Sequence, residues 1–440
     1  MWNKPARRWG WLGVVTIALA TPALPCGPYL PTRILLLDDE QAVLSMPTAD
    51  FRQEVRRLLP EAAPAFRAVM PEDETPFGQS ARLGRVDLAA ALTDAGFGED
   101  RRNELLQRYD EIRAALSQLE ARNRRARELG VDPVELEGPA IPLPDAPKEF
   151  PEEFRLYLDG LSAYHLNETK VADQFFRQLL ELPEALRRHR SVWAAYMLGK
   201  SHLTSDPAAA VRGFEAARQL AAAGYPDPLG LASSSFGWQG RAHLNAGEPD
   251  RALTLYLQFW HSGDYHGLVS MRAAAHALIK AEGEPLRRAA TDPVLQRLVT
   301  AYLLSHDGAA WEELPAERRP ATIAWLAAVE QANPNAEAEP TPGADRLAWL
   351  AYQRNEIDAA TRWAKQAGDT PIAQWVRAKL ALRAGEVDRG VALLAQVTKD
   401  FPAEEDWDAR HPVGDWYDTI KPQRVVGGEL AVLEIARSQY

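Results

Sequence analysis

One spacing constrains this chain more than any other feature. Gly160 is followed after twelve residues by Ala172 and four later by Phe176, and Gly240, Ala252 and Tyr256 repeat that interval. Gly199, Ala210 and Phe214 keep it with one residue fewer in the turn. Ala348 and Ala360 keep the twelve-residue step with Trp363 one place early, and Ala378, Gly390 and Leu394 keep it with an aliphatic last residue. Turn-forming residues fall at matched places: Asn167, Gly247, Asn355 and Gly385. A small residue on each of two helices lets their backbones approach, and a large one fills the space beside them. Gly or Asn tolerates the left-handed conformation that ends the first helix. Pro183 and Pro402 stop the second helices. One such pair leaves an apolar face uncovered, so several must stack.

At these residues the chain resembles the tetratricopeptide repeat superfamily, whose units place a small Gly, then an Ala, then an aromatic over about 34 residues. Three units lie between about Phe154 and Phe259 and two between Arg346 and Phe401. Their lengths are uneven, with 39 residues from Gly160 to Gly199 and 30 from Ala348 to Ala378. The resemblance implies an all-α fold: a right-handed superhelical solenoid of antiparallel helix pairs, preceded by an N-terminal helical region. It also implies that first helices line a concave groove for a peptide. The residue after each registering Gly faces that groove, as do those four before it and five after it. Lys200 and Arg241 are thereby candidate partner-binding residues, with Tyr157, His165, Tyr196 and Asn245 on the same surface. The two cations suit an acidic or carboxylate-bearing partner segment.

Outside the repeats, the apolar spacing predicts helices over 50–59, 82–95 and 99–129, the last with Leu105, Leu106, Tyr109, Ile112, Leu116 and Leu119 at steps of three and four. Gly138 to Phe154 holds five prolines and reads as a linker. Helices are expected over 292–306 and 320–332. The expected divisions are a leader at 1–23, an N-terminal helical region at 24–137, the linker at 138–153 and repeats at 154–280. Connecting helices or degenerate repeats follow at 281–344, repeats at 345–403, and an acidic, aromatic loop with the start of a further repeat at 404–440. That last helix has no partner after it, as expected of a chain that continues past residue 440.

The N-terminus carries Lys4, Arg7 and Arg8 before the apolar run WGWLGVVTIALATPA, which ends in small residues. This reads as a secretory signal peptide cleaved after Ala20 or Ala23. Cys26, the single cysteine, is the candidate lipidation site, with Pro25 where such sites take Gly, Ala or Ser. The localisation expected is therefore periplasmic or secreted, with membrane association through a lipidated N-terminus as the alternative. Net charge is −11, and loss of residues 1–23 with their three cations makes it −14, which excludes a general nucleic-acid binder.

No motif for catalysis or a cofactor stands out. Nine histidines show no metal-ligand spacing, and HSGDYH from His261 to His266 reads as a turn. LGKS at Leu198–Ser201 lacks the earlier glycine of a phosphate loop, since Ala194 stands there. The tryptophans at 193, 238, 349 and 375 fall within first helices, where core packing is expected. The expectation is a non-enzymatic protein-interaction scaffold of the bacterial cell envelope, without cofactor or metal. The alternative is the helical frame of a cell-wall enzyme, similar to soluble lytic transglycosylases, whose catalytic part lies beyond residue 440.

Overall fold

The computed structural model describes residues 42–47, 49–69, 74–136, 138–281, 283–305, 319–334, 341–410 and 417–437. The leader at 1–23 and Cys26 lie outside the described residues. Among those described, eighteen α-helices make the chain all-α apart from one short β-hairpin.

Three helices form the N-terminal region: α1 (Phe51–Arg56), α2 (Pro76–Asp94) and α3 (Glu99–Leu129). Asp50 caps α1 by accepting from Gln53 N at 2.8 Å. The second helix starts six residues earlier than its apolar spacing suggests, because Thr75 caps it and Pro76 occupies its first position. The third ends at Gly130, whose φ is +69°.

The repeat register is visible as ring-on-glycine contacts. In α4 (Glu152–His165) and α5 (Thr169–Glu181), a Cβ on Gly160 would lie 2.5 Å from Phe176 Cε1. In α6 (Ser191–His202) and α7 (Pro207–Ala222), Gly199 has Phe214 at 2.6 Å in the same sense. In α8 (Leu231–Asn245) and α9 (Pro249–His261), Gly240 has Tyr256 at 2.6 Å. Ala172, Ala210 and Ala252 are fully buried beside them. The turns at Asn167, Gly247, Asn355 and Gly385 have φ of +62°, +74°, +61° and +78°, the left-handed geometry that Gly and Asn tolerate.

Next come α10 (His266–Lys280), α11 (Glu284–Thr291), α12 (Pro293–Leu304) and α13 (Arg319–Ala332). The last two match the expected helices, whereas α11 and its pairing with neighbours had no sequence signal. The hairpins α14 (Ala344–Gln353) with α15 (Ile357–Gln366) and α16 (Pro371–Arg383) with α17 (Val387–Asp400) follow, and α18 (Pro422–Ala436) packs on α17. Ala348, Ala360, Ala378 and Leu394 are fully buried.

Part of the stretch expected as a loop at 404–418 is instead an antiparallel hairpin, β1 (Trp407–Arg410) with β2 (Tyr417–Ile420), in register Trp407↔Ile420. Trp407 drives this: it stacks on Trp349 at 5.5 Å and meets Phe401 edge-on at 5.7 Å, so its burial fixes one strand. His411 lies outside the described residues. The proline-rich stretch 138–149 has no helix, as expected of a linker, yet Leu143 and Ala146 pack against the core and Phe150 is buried in it.

The apolar core is divided. One cluster joins residues 88–217 and another joins 46–55 to 252–426. Between them sits a small cluster of Ala210, Phe214 and Ala242, with Tyr196 and Trp238 against it.

Candidate functional site

The register puts Lys200 on α6 and Trp238, Arg241 and Asn245 on α8, the last three at steps of three and four and so on one helix face. The structure brings the two sets together. Lys200 Nζ lies 2.9 Å from the centre of the Trp238 ring. Burial pulls its ammonium down to about 7, with Glu120 opposing the shift and Arg127 adding to it. The ring face favours the charged form in the other direction. Tyr196, one turn before Lys200, is edge-on to Phe214 at 5.7 Å, and burial raises its hydroxyl.

Arg241 is exposed and forms no ion pair among the described residues. Asn245 is exposed too, and its Nδ2 donates to Leu203 O at 2.9 Å, satisfying a carbonyl at the end of α6. Glu120 and Arg127 of α3, 3.3 Å apart, bring one charge of each sign to the Lys200 side.

The other two candidates are elsewhere. Tyr157 is 7% exposed and His165 6%, so neither offers a face to solvent. The reason is α3, which packs over α4. Asn123 Nδ2 donates to His165 O at 2.7 Å, and His165 Nδ1 stands 3.4 Å from Glu120 Oε2. Tyr157 packs edge-on to Trp193 at 5.7 Å, and burial pushes its hydroxyl up to about 12. Sequence reasoning missed this cover, and it treated Trp238 as core filling rather than as the seat of Lys200. The three-residue step from Trp238 to Arg241 is the signal that places them on one face.

The N-terminal region touches the later helices at several points. At α8 and α9, Ala68 N donates to Ser262 O at 2.9 Å and His261 Nε2 donates to Ala62 O at 3.0 Å. Phe66 lies 6.2 Å from Phe236. Ala49 bridges to Ser305 after α12. Gln353 Nε2 donates to Pro47 O at 2.8 Å, Tyr352 OH to Leu44 O at 2.7 Å, and Lys379 Nζ to Val43 O.

Lys200 is half-buried on the Trp238 ring and Arg241 is exposed one turn further along α8 from that ring; a guanidinium so placed can hold a carboxylate through paired hydrogen bonds. The histidines of HSGDYH are split between two tasks, His261 on Ala62 and His266 Nδ1 on Asp264 at 2.8 Å. Among the described residues no group of three or more His, Cys, Asp or Glu is placed to hold a metal ion, and no helix is long and apolar enough to cross a membrane. Among known proteins, no family model matches the chain and no curated protein matches its sequence.

Proposed function

We propose that this chain is a non-enzymatic protein-interaction scaffold whose helical hairpins are of the tetratricopeptide type, stacked as a right-handed solenoid. Its partner is a protein segment bearing carboxylates, held at Lys200 and Arg241. The leader-like N-terminus supports an exported protein working in the cell envelope, free or lipid-anchored through Cys26. One observation carries the binding proposal: Arg241 of α8 is exposed, without an ion-pair partner among the described residues, on the helix face whose Trp238 seats Lys200 of α6.

The test is site-specific photo-crosslinking in the native envelope from Asn245, followed by mass spectrometry, in the wild type and in Arg241→Glu. A charge-assisted hydrogen bond is worth roughly 1.5–3 kcal/mol, so the substitution should cut capture of an acidic partner about tenfold or more. Equal capture by both chains, or adducts unrelated to acidic segments, would sink the proposal.

A further inference from the structure

Residues 43–62 are held to the array largely through their main chain. Lys379, Tyr352, Gln353 and His261 all donate to main-chain carbonyls, those of Val43, Leu44, Pro47 and Ala62. A segment in regular structure satisfies its own carbonyls, but this one makes only a short turn at Ala42–Leu44 before α1 and leaves its carbonyls to the array. Recognition through the main chain tolerates changes of side chain, which is how grooves bind extended peptides. Lys379 and Gln353 are also the residues that the repeat register puts on the groove side, one after Ala378 and five after Ala348.

Side chains anchor the segment at three points. Met46 and Val55 are buried, and Phe51 is edge-on to Tyr302 at 6.4 Å beneath Arg272 at 5.0 Å. Ion pairs flank its end, Glu54 with Arg346 at 3.2 Å and Arg57 with Glu405 at 3.1 Å. The contacts run from α16 through α14 and α12 to α10, opposite to the order of the array.

We infer that residues 42–47 and 49–57 are a tethered occupant of the array's own peptide-binding face, exchangeable for a segment of a partner protein that carries an aromatic anchor in the place of Phe51. This rests on the reading of the first-helix face as the binding surface. It adds that in the free chain this segment lies against α10, α12, α14 and α16. Because the segment belongs to the same chain, an external one gains access only by outcompeting it.

The experiment uses the full chain carrying Cys26→Ala and, as probe, a fluorescent peptide with the sequence of residues 42–57. In Phe51→Ala/Val55→Ala the internal segment is weakened, and the peptide should bind at least tenfold more tightly than to the parent chain. A second chain, Ala49→Cys/Ser305→Cys, joins two β-bridge partners whose Cα atoms are roughly 5 Å apart, within disulfide reach. Oxidised, it should bind no peptide, and reduction should restore the parent's behaviour. Equal peptide binding by oxidised and reduced forms overturns the inference. So does a weakened chain that loses helical circular dichroism and binds nothing, since the segment is then an inseparable part of the core. Crosslinking from Asn245 reads the carboxylate site and peptide exchange reads the internal segment, so the failure of either is distinguished from the failure of the other.

Discussion

Gly160→Ala tests the register by a change of sign. A Cβ at Gly160 would meet Phe176 Cε1 at 2.5 Å and its Cδ1 and Cζ at 2.9 Å, against roughly 3.5–4 Å for comfortable carbon contacts. The ring must retreat by about 1 Å, yet Phe176 is fully buried and Tyr157 stands 6.1 Å away, centre to centre. Overpacking of this kind costs about 1–3 kcal/mol. Replacing glycine by alanine within a helix returns about 1 kcal/mol, which leaves a net loss of up to about 2 kcal/mol.

In a Phe176→Leu background the obstacle is gone, and only the helix gain of about 1 kcal/mol remains. The same substitution should then stabilise. Urea titrations followed by circular dichroism on the four chains give the cycle, and thermal midpoints should move by about 2–4 °C per kcal/mol for a cooperative unit of this size. Additive effects, or a Gly160→Ala midpoint above that of the parent, would show that the ring does not sit against the glycine. Gly213 gives the contrast: its Cβ would meet the backbone N of Gly199 at 2.4 Å, so trimming a ring cannot relieve it.

Three further outcomes are expected. Lys379→Met leaves Glu429, now 2.6 Å from Lys379 Nζ and 2.9 Å from Trp375 Nε1, as an unpaired buried carboxylate, and should cost about 3–5 kcal/mol in urea denaturation; Lys379→Met/Glu429→Leu should recover most of it. Burial pushes the Glu153 carboxyl up to about 7, against its bonds from Arg190 N and His189 N and the Arg190 charge. Its folded form therefore binds the proton more tightly, so its contribution is complete below pH 4.5 and lost as pH rises through 7; Glu153→Gln should flatten that part of a urea-midpoint profile. Lys200 sheds its proton near pH 7 in the free chain, so capture of an acidic partner should weaken between pH 6 and pH 8, and Lys200→Arg should remove that dependence in a binding assay across the range.

What was legible in the sequence was local. The turns at Asn167, Gly247, Asn355 and Gly385 and the contacts of Gly160, Gly199 and Gly240 depend on residues less than twenty apart, and each leaves a residue type that only a few conformations tolerate. The ends of α3 were legible for the same reason, with glycine on both sides. The cover was not. Val43 and Lys379 are 336 residues apart, and a carbonyl accepting from a lysine leaves no trace in the residue that owns it. Within the site, Arg241 and Asn245 stand exposed on the helix face where the spacing put them, whereas Tyr157 and His165 share that register and are buried beneath α3. Register says which way a residue faces; it does not say what else the chain lays on top.

The Lys200 side of the site borders the smallest of the three core clusters. Tyr196 and Trp238, which frame Lys200, are the same rings that pack on the small Ala210–Phe214–Ala242 cluster between the two large ones. The helices that meet here are otherwise joined by polar groups: Arg218 of α7 donates to Ser235 Oγ of α8 at 2.6 Å and to Gln239 Oε1. A segment bound at once to Lys200 on α6 and Arg241 on α8 spans these helices. On the proposed reading its charged contacts would tie α6 to α8 as well as supply affinity, beside the small cluster that Tyr196 and Trp238 pack on.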